Sequence, residues 1–199
     1  MAKIIPEVSH PTSVCPHPEL WHCYDDQATE IEVLDFLTAL VVMLKPRIII
    51  ETGCWLGFGT ERLVQGAIQN GFGHVYTCDI AHDKVLDARE RLTAVSDWVT
   101  VKHCTGLELI AEVPTPIDFA FLDSGPDMVR CHELCAVTPK LATEGIVAVH
   151  DVGVQGWLRY YFTETVRNLA LQHFIFTTPR GLGLARKKPR QGSIPPVTT

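Results

Sequence analysis

Arg47-Ile-Ile-Ile-Glu-Thr-Gly-Cys-Trp-Leu-Gly-Phe-Gly-Thr60 is the stretch on which the reading of this chain turns. The β-branched run Ile48, Ile49, Ile50 reads as a strand of a parallel sheet buried on both faces. Glu51 ends the run, and Gly53, Gly57 and Gly59 then open a tight turn into a helix. Their missing Cβ atoms leave room for a ligand to approach bare backbone. The spacing is G-x-x-x-G-x-G, with Trp55 where the dinucleotide pattern G-x-G-x-x-G has its second glycine, and no G-x-x-x-x-G-K-[ST] segment offers a phosphate cradle. A pyrophosphate is therefore disfavoured. An acid two residues before the first glycine suits a cationic group on the ligand instead.

The 199 residues suit one domain with a sizeable core. Hydrophobic residues at 46% and charged residues at 20% are ordinary for a globular protein, and a formal charge of −6 argues against a general nucleic-acid binder. The longest apolar stretch, Ile31 to Leu44, contains Glu32 and Asp35 and is shorter than the roughly 20 residues of a membrane span. It reads as a buried helix, so no membrane partner is expected. Lys3-Ile-Ile-Pro6 has neither the apolar core nor the cleavage site of a secretory signal, which predicts a cytoplasmic protein. In that setting the seven cysteines read as reduced thiols.

Ahead of the glycine loop, residues 1–26 carry Pro6, Pro11, Pro16 and Pro18 and read as an irregular arm. Trp21 and Tyr24 are its apolar anchors, and capping a site is its expected task. Cys15, His17, His22 and Cys23 within it include four zinc-capable side chains, but their spacing matches no usual zinc pattern. From Gln27 to Leu44 apolar residues recur at helical spacing until Pro46. Behind the loop, a helix over Thr60–Ile68 closes at Asn70-Gly71, and the strand His74-Val-Tyr-Thr-Cys-Asp79 follows. Asp79 suits either a ribose diol at a strand's carboxyl end or the N-cap of a helix over Asp83–Ala94.

A third strand, Trp98 to His103, leads into Cys104-Thr-Gly-Leu-Glu-Leu-Ile110. A fourth, Ile117 to Asp123, turns through Ser124-Gly125-Pro126 into a helix over Asp127–Leu141. A fifth, Ile146 to Asp151, follows Glu144-Gly145. A helix over Gln155–Ala170 places Trp157, Tyr160 and Tyr161 either beside an acceptor pocket or in the core. Two closing strands, His173–Thr178 and Leu182–Arg186, flank Pro179-Arg180-Gly181, and residues 187–199 read as a mobile tail. Four of the first five strands thus end at a carboxylate. Carboxylates crowded on one rim need a cation, a metal or hydroxyls between them.

This order of elements, over residues 27–186, resembles the class I S-adenosylmethionine-dependent methyltransferases. Glu51-x-Gly53-x-x-x-Gly57 resembles their motif I. Phe121-Leu-Asp123-Ser-Gly with Val149-His150-Asp151 resembles the small-molecule O-methyltransferases of the family 24 type, akin to catechol and macrolide-sugar O-methyltransferases. The resemblance implies an α/β Rossmann-like fold with a seven-stranded, mostly parallel sheet in the order 3-2-1-4-5-7-6, the last strand antiparallel. It implies that Glu51 and the backbone of Gly53, Cys54, Trp55 and Gly57 hold the methionine moiety, Asp79 and Ile80 the ribose, and Thr105 with Gly106 the adenine edge. Asp123 would face both cofactor and acceptor.

The implied activity is transfer of the methyl group to a hydroxyl of a small molecule, with Asp123, His150 and Asp151 as the catalytic set. Asp123 and Asp151 would bind Mg2+ or another divalent cation and His150 would deprotonate the acceptor, unless it is simply a packed strand residue. The chain departs from the family pattern at Pro126, where a histidine is usual. A nicotinamide-dependent oxidoreductase and a non-catalytic cofactor-binding protein are the alternatives. The acceptor's identity and the oligomeric state are not legible.

Overall fold

The computed structural model describes residues 3–4, 15–153 and 157–188. Most of the expected tail, and the arm's Pro6 and Pro11, lie outside the described residues. Seven strands form one sheet: β1 (Ile48–Thr52), β2 (His74–Asp79), β3 (Val99–His103), β4 (Ile117–Leu122), β5 (Leu141–His150), β6 (Gln172–Phe176) and β7 (Leu182–Arg186). Their spatial order is 3-2-1-4-5-7-6, as expected. The first five run parallel, while β7 pairs antiparallel with both β5 and β6. Six helices connect or flank them: α1 (Ile31–Leu44), α2 (Phe58–Asn70), α3 (His82–Arg91), α4 (Gly106–Glu112), α5 (Asp127–Val137) and α6 (Trp157–Asn168). A two-residue antiparallel ladder also joins Lys3–Ile4 to His22–Cys23.

The continuous apolar run of β1 follows from its central place. Successive side chains of a strand point to opposite faces, so Ile49 and Ile50 enter different layers, and both are fully buried. Ile49 packs among Leu34, Leu37 and Val41 of α1 and Leu63 and Val64 of α2. Ile50 belongs to the opposite layer, with Leu109 and Ile110 of α4, Leu134 of α5 and Phe162 of α6. A helix layer on each face is what commits every strand of such a sheet to near-continuous hydrophobicity. Burying one large aliphatic side chain stabilises the fold by about 1.5–3 kcal/mol, so the paired isoleucines anchor both layers.

Several boundaries differ from expectation, each for a local reason. Helix α1 starts at Ile31 rather than Gln27 because the Asp25 carboxylate accepts from the backbone N–H groups of Gln27 and Ala28, which turns the chain first. It ends at Leu44 and is capped by Lys45, in the left-handed region at φ 52°, just before Pro46. Strand β1 continues through Glu51 to Thr52, so Glu51 lies inside the strand. Helix α3 stops at Arg91 and a 3-10 turn over Thr93–Trp98 follows; α5 stops at Val137, with a 3-10 turn over Thr138–Lys140. Strand β5 begins at Leu141, and its register against β4 shifts between Ile117 and Phe119. Residues 154–156, the expected start of the sixth helix, lie outside the described residues, and that helix is seen from Trp157 to Asn168.

Among the described residues no helix is long and apolar enough to cross a membrane. None of the seven cysteines is joined in a disulfide. Their buried members, such as Cys54 and Cys78, have pKa values pushed up by burial, which makes them inert packing groups. In the arm, His22 Nδ1 lies 2.9 Å from Glu32 Oε1 and His17 Nδ1 lies 3.2 Å from Glu19 Oε1. Both histidines thus face glutamates of their own neighbourhood rather than a shared metal.

Candidate active site

A cavity of about 640 Å³ opens at the carboxyl ends of β1, β2, β3 and β4. Its walls include Glu51, Gly53, Cys54, Trp55, Asp79, Ile80, Thr105, Gly106, Asp123 and Asp151, so the rim acids do converge on one space. Gly57 and His150 are not among its lining residues. Nor are Trp157, Tyr160 and Tyr161; Trp157 and Tyr160 are largely exposed.

The half of the cavity built on β1 to β3 is set by the glycine loop. Gly53 has φ +79°, and a Cβ there would come within 2.6 Å of the Asp123 carbonyl oxygen and 2.9 Å of Ser124 Cα. A close crossing of two protein loops therefore requires this glycine, beyond any approach of a ligand. Trp55 also sits at positive φ, +45°, a conformation that costs a non-glycine residue about 1–3 kcal/mol. Three contacts hold it there. Its backbone N–H donates to Asp79 Oδ2 at 3.0 Å, its indole N–H donates to Asp25 Oδ2 at 3.1 Å, and the Lys84 ammonium lies 4.5 Å from the ring centroid. Asp79 Oδ1 accepts from the Ala81 N–H at 2.9 Å. Two backbone donors thus fix the Asp79 carboxylate and leave it further acceptor capacity toward the cavity.

Glu51 is almost wholly buried, and its Oε2 accepts from the hydroxyls of Thr60 and Thr77. Burial pushes its pKa up to about 7 in spite of those two hydrogen bonds. A Cβ on residue 59 would lie 2.5 Å from Glu51 Oε1, so Gly59 makes room for this carboxylate. Beside Thr105 and Gly106, the residues expected at the adenine edge, the fold adds an acid to the cavity wall. Glu133, from the middle of α5, accepts from Thr52 and Ser124 hydroxyls at 2.8 Å each, and a Cβ on Gly106 would fall 2.0 Å from its Oε1. Burial raises the pKa of Glu133 against the pull of those hydroxyls. Thr105 itself is the N-cap of α4 in a reciprocal capping box with Glu108.

The other half, at the ends of β4 and β5, is a network of charges. Asp123 Oδ2 accepts from the Thr29 hydroxyl at 2.6 Å, and Asp123 Oδ1 lies 3.0 Å from His150 Nδ1. His150 Nε2 lies 2.6 Å from Glu30 Oε2, and Glu30 Oε1 accepts from the Arg180 N–H at 2.9 Å. Arg130 Nη2 donates to Asp151 Oδ2 at 2.7 Å and lies 3.6 Å from Asp123 Oδ1. Asp151 sits just past the strand at φ +62°. Burial disfavours charge on His150, but the facing carboxylates of Asp123, Asp151 and Glu30 outweigh it and raise its pKa well above the ordinary value. Burial likewise opposes charge on Asp123 and Glu30, and the histidine reverses it, so both carboxyls titrate below their usual range.

This setting differs from the one expected of His150 as a general base. Both ring nitrogens face carboxylates, the side chain is 2% exposed, and a doubly protonated ring has no lone pair to offer. The reach of a divalent ion is also limited. Ligand atoms of Asp123, His150 and Asp151 lie within 4.8 Å of one another, the spacing of a metal site. Yet Asp123 already accepts from Thr29 and faces His150, and Arg130 stands between the two aspartates, so this donor set does not fit a resident cation.

Thr29, Glu30, Arg130, Glu133 and Arg180 were not anticipated. The first two come from the turn just before α1, where helix was expected, and an acid or threonine there carries no local signal of that role. Tyr24 stacks on Phe58 with ring centroids 4.2 Å apart, which docks the arm against the start of α2.

Residues 50–152, just over half of the chain, match the methyltransferase-domain family numbered 24, and the chain belongs to that family. No curated protein sequence matches it. Solved structures share its fold. The SAH-bound methyltransferase PaMTH1 of Podospora anserina is 14% identical, with 82% of this chain and 81% of that one covered and a TM-score of 0.69. The O-methyltransferase TomG of Streptomyces achromogenes, involved in tomaymycin synthesis and solved in complex with SAM, is 16% identical over 82% of each chain, TM-score 0.69. An O-methyltransferase of Bacillus cereus in complex with SAH is 17% identical over 82% of this chain and 84% of that one, also at 0.69.

Proposed function

We propose that the protein transfers a methyl group from S-adenosylmethionine to a hydroxyl of a small molecule. The observation that carries the reading is the single cavity that joins Glu51 and Asp79 to Asp123 and Asp151. A volume of about 640 Å³ lies within the range of small-molecule sites. The neighbours crystallised with SAM or SAH support the cofactor, and two of them are O-methyltransferases.

In this reading Glu51 and the backbone from Gly53 to Gly57 receive the methionine part, Asp79 and Ile80 the ribose, and Thr105 and Gly106, with Glu133 beneath, the adenine. The sulfonium then points toward Asp123. Asp26 to Thr29, Val129, Arg130 and Arg180 wall the acceptor's space. Methyl transfer is an in-line displacement that needs alignment and removal of one proton, and no covalent enzyme intermediate. Asp151, half-buried and open to the cavity, takes that proton in place of His150, whose part is to hold Asp123 against Glu30. The net charge of −6 fits a small acceptor better than a nucleic acid.

Incubating the protein with methyl-labelled S-adenosylmethionine and a panel of phenols, sugars and alcohols tests the reading. The label is expected in an O-methyl product. Label appearing only on nitrogen, on carbon or on added RNA contradicts it.

A further inference from the structure

The acceptor half holds three carboxylates, Glu30, Asp123 and Asp151, and its charge balance comes from inside the chain. Arg130 is nearly buried, with a side chain 7% exposed against 14% for Asp123 and 36% for Asp151. It reaches from the first turn of α5 to the rim and places one guanidinium nitrogen 2.7 Å from Asp151 and 3.6 Å from Asp123. The guanidinium thus lies against both of the aspartates whose oxygens, with His150, come within 4.8 Å of one another. The remaining lone pairs of Asp123 are directed to Thr29 and His150.

We infer that the Arg130 guanidinium occupies the position of a divalent cation, so that the site works with a charge fixed in the protein instead of a bound metal. The inference rests on the methyl-transfer reading for its chemistry. A guanidinium keeps its charge at any working pH and presents several donors in a planar fork, so it can bond Asp151 and still hold an acceptor oxygen. Arg130 lines the cavity beside Asp151, which brings a cation and a proton acceptor to the same oxygen. The hydroxyl proton passes to Asp151 as an oxygen lone pair forms the new O–CH3 bond. The S–CH3 bond pair returns to sulfur, which leaves as the neutral thioether.

An exchangeable metal would make the site sensitive to chelators, whereas an arginine would not. Removing the arginine, in contrast, leaves the carboxylates of Glu30, Asp123 and Asp151 around the His150 cation with an excess of negative charge, and hard divalent ions bind such carboxylate oxygens.

Mn2+ is the probe, followed by electron paramagnetic resonance and thermal melting of the full chain. Wild type should leave Mn2+ free at 1 mM, on the order of the weakest carboxylate sites, and its melting temperature should not respond to Mn2+ or EDTA. R130M should bind Mn2+ at least about tenfold more tightly than wild type, the gain expected from unmasking an oxygen pair. R130K, which keeps a charge, should gain less. Stoichiometric Mn2+ binding by wild type at micromolar concentration, or no gain in a folded R130M, overturns the inference. If R130M does not fold, the wild-type titration still decides. Calorimetry with S-adenosylhomocysteine on the same samples reports the cofactor reading separately, since binding there involves the other half of the cavity.

Discussion

The two halves of the cavity are built by different means. On the cofactor side the key groups sit at the ends of β1 to β3 or in the loops that directly follow them. Asp79 takes its partners from Trp55 and Ala81, and Glu51 from Thr60 and Thr77. On the acceptor side the partners come from far along the chain. Thr29 meets Asp123 across 94 residues, Glu30 meets His150 across 120, and Arg180 meets Glu30 across 150. Apart from Glu133, which reaches in from α5, the first half is built by loops at the ends of neighbouring strands. The second exists only once the turn before α1 has packed on the sheet and the closing strands have formed.

The difference makes the halves separable by mutation, and the acceptor side gives the largest effect. Glu30→Ala leaves the His150 cation with one fewer buried partner, a loss expected to destabilise the fold by about 3–5 kcal/mol. Urea unfolding measures it. Affinity for S-adenosylhomocysteine in the folded fraction should stay within about threefold of wild type, because a contact this far from the cofactor loops couples only weakly to them. A matching loss of cofactor affinity would merge the two halves into one.

Asp79→Ala is the converse experiment. Loss of charge-assisted bonds to the ribose hydroxyls should weaken cofactor binding by about 2–4 kcal/mol, while loss of the bonds to the Trp55 and Ala81 N–H groups should lower the unfolding free energy by about 1–3 kcal/mol, less than Glu30→Ala does. If the folded variant binds as tightly as wild type, Asp79 serves only to hold Trp55 and the turn at Ala81 that leads into α3.

A smaller effect follows from Glu51. Its folded pKa of about 7 lies above the ordinary 4.5, so folding takes up a proton between those values. Stability contributed by this group is therefore full below about pH 4.5 and declines as pH rises toward 7, by at most about 3 kcal/mol for a shift of this size. Glu51→Gln should lack that decline. The difference between variant and wild type, followed by unfolding across pH 4 to 8, isolates it from His150, Asp123 and Glu30, which titrate in both proteins. A flat difference would mean that Glu51 stays ionised in the folded chain.

The same contrast explains what was legible in the sequence. The β-branched run at Ile48–Ile50, the glycine spacing and the recurrent acids at strand ends are local patterns, and they marked the strands and the loop. The sheet order, and the expected places of Asp79, Thr105 and Gly106 on the cavity, came from the family resemblance that those patterns carry. Glu133 could not be read at the adenine end, since it lies on a different helix and reaches Gly106 only through the packing of α5 against α4. The surroundings of His150 were equally hidden. A histidine before an aspartate at a strand end looks like a base until Glu30, at the N-terminus of α1, takes its second nitrogen. Arg130 read as one residue of a helix, because nothing near it in sequence marks the aspartates it joins.

Calorimetry with S-adenosylhomocysteine tests the central claim most directly. The account predicts one site per chain with a micromolar dissociation constant, lost in Asp79→Ala and kept in Glu30→Ala. No binding heat from folded wild-type protein at millimolar ligand would contradict it.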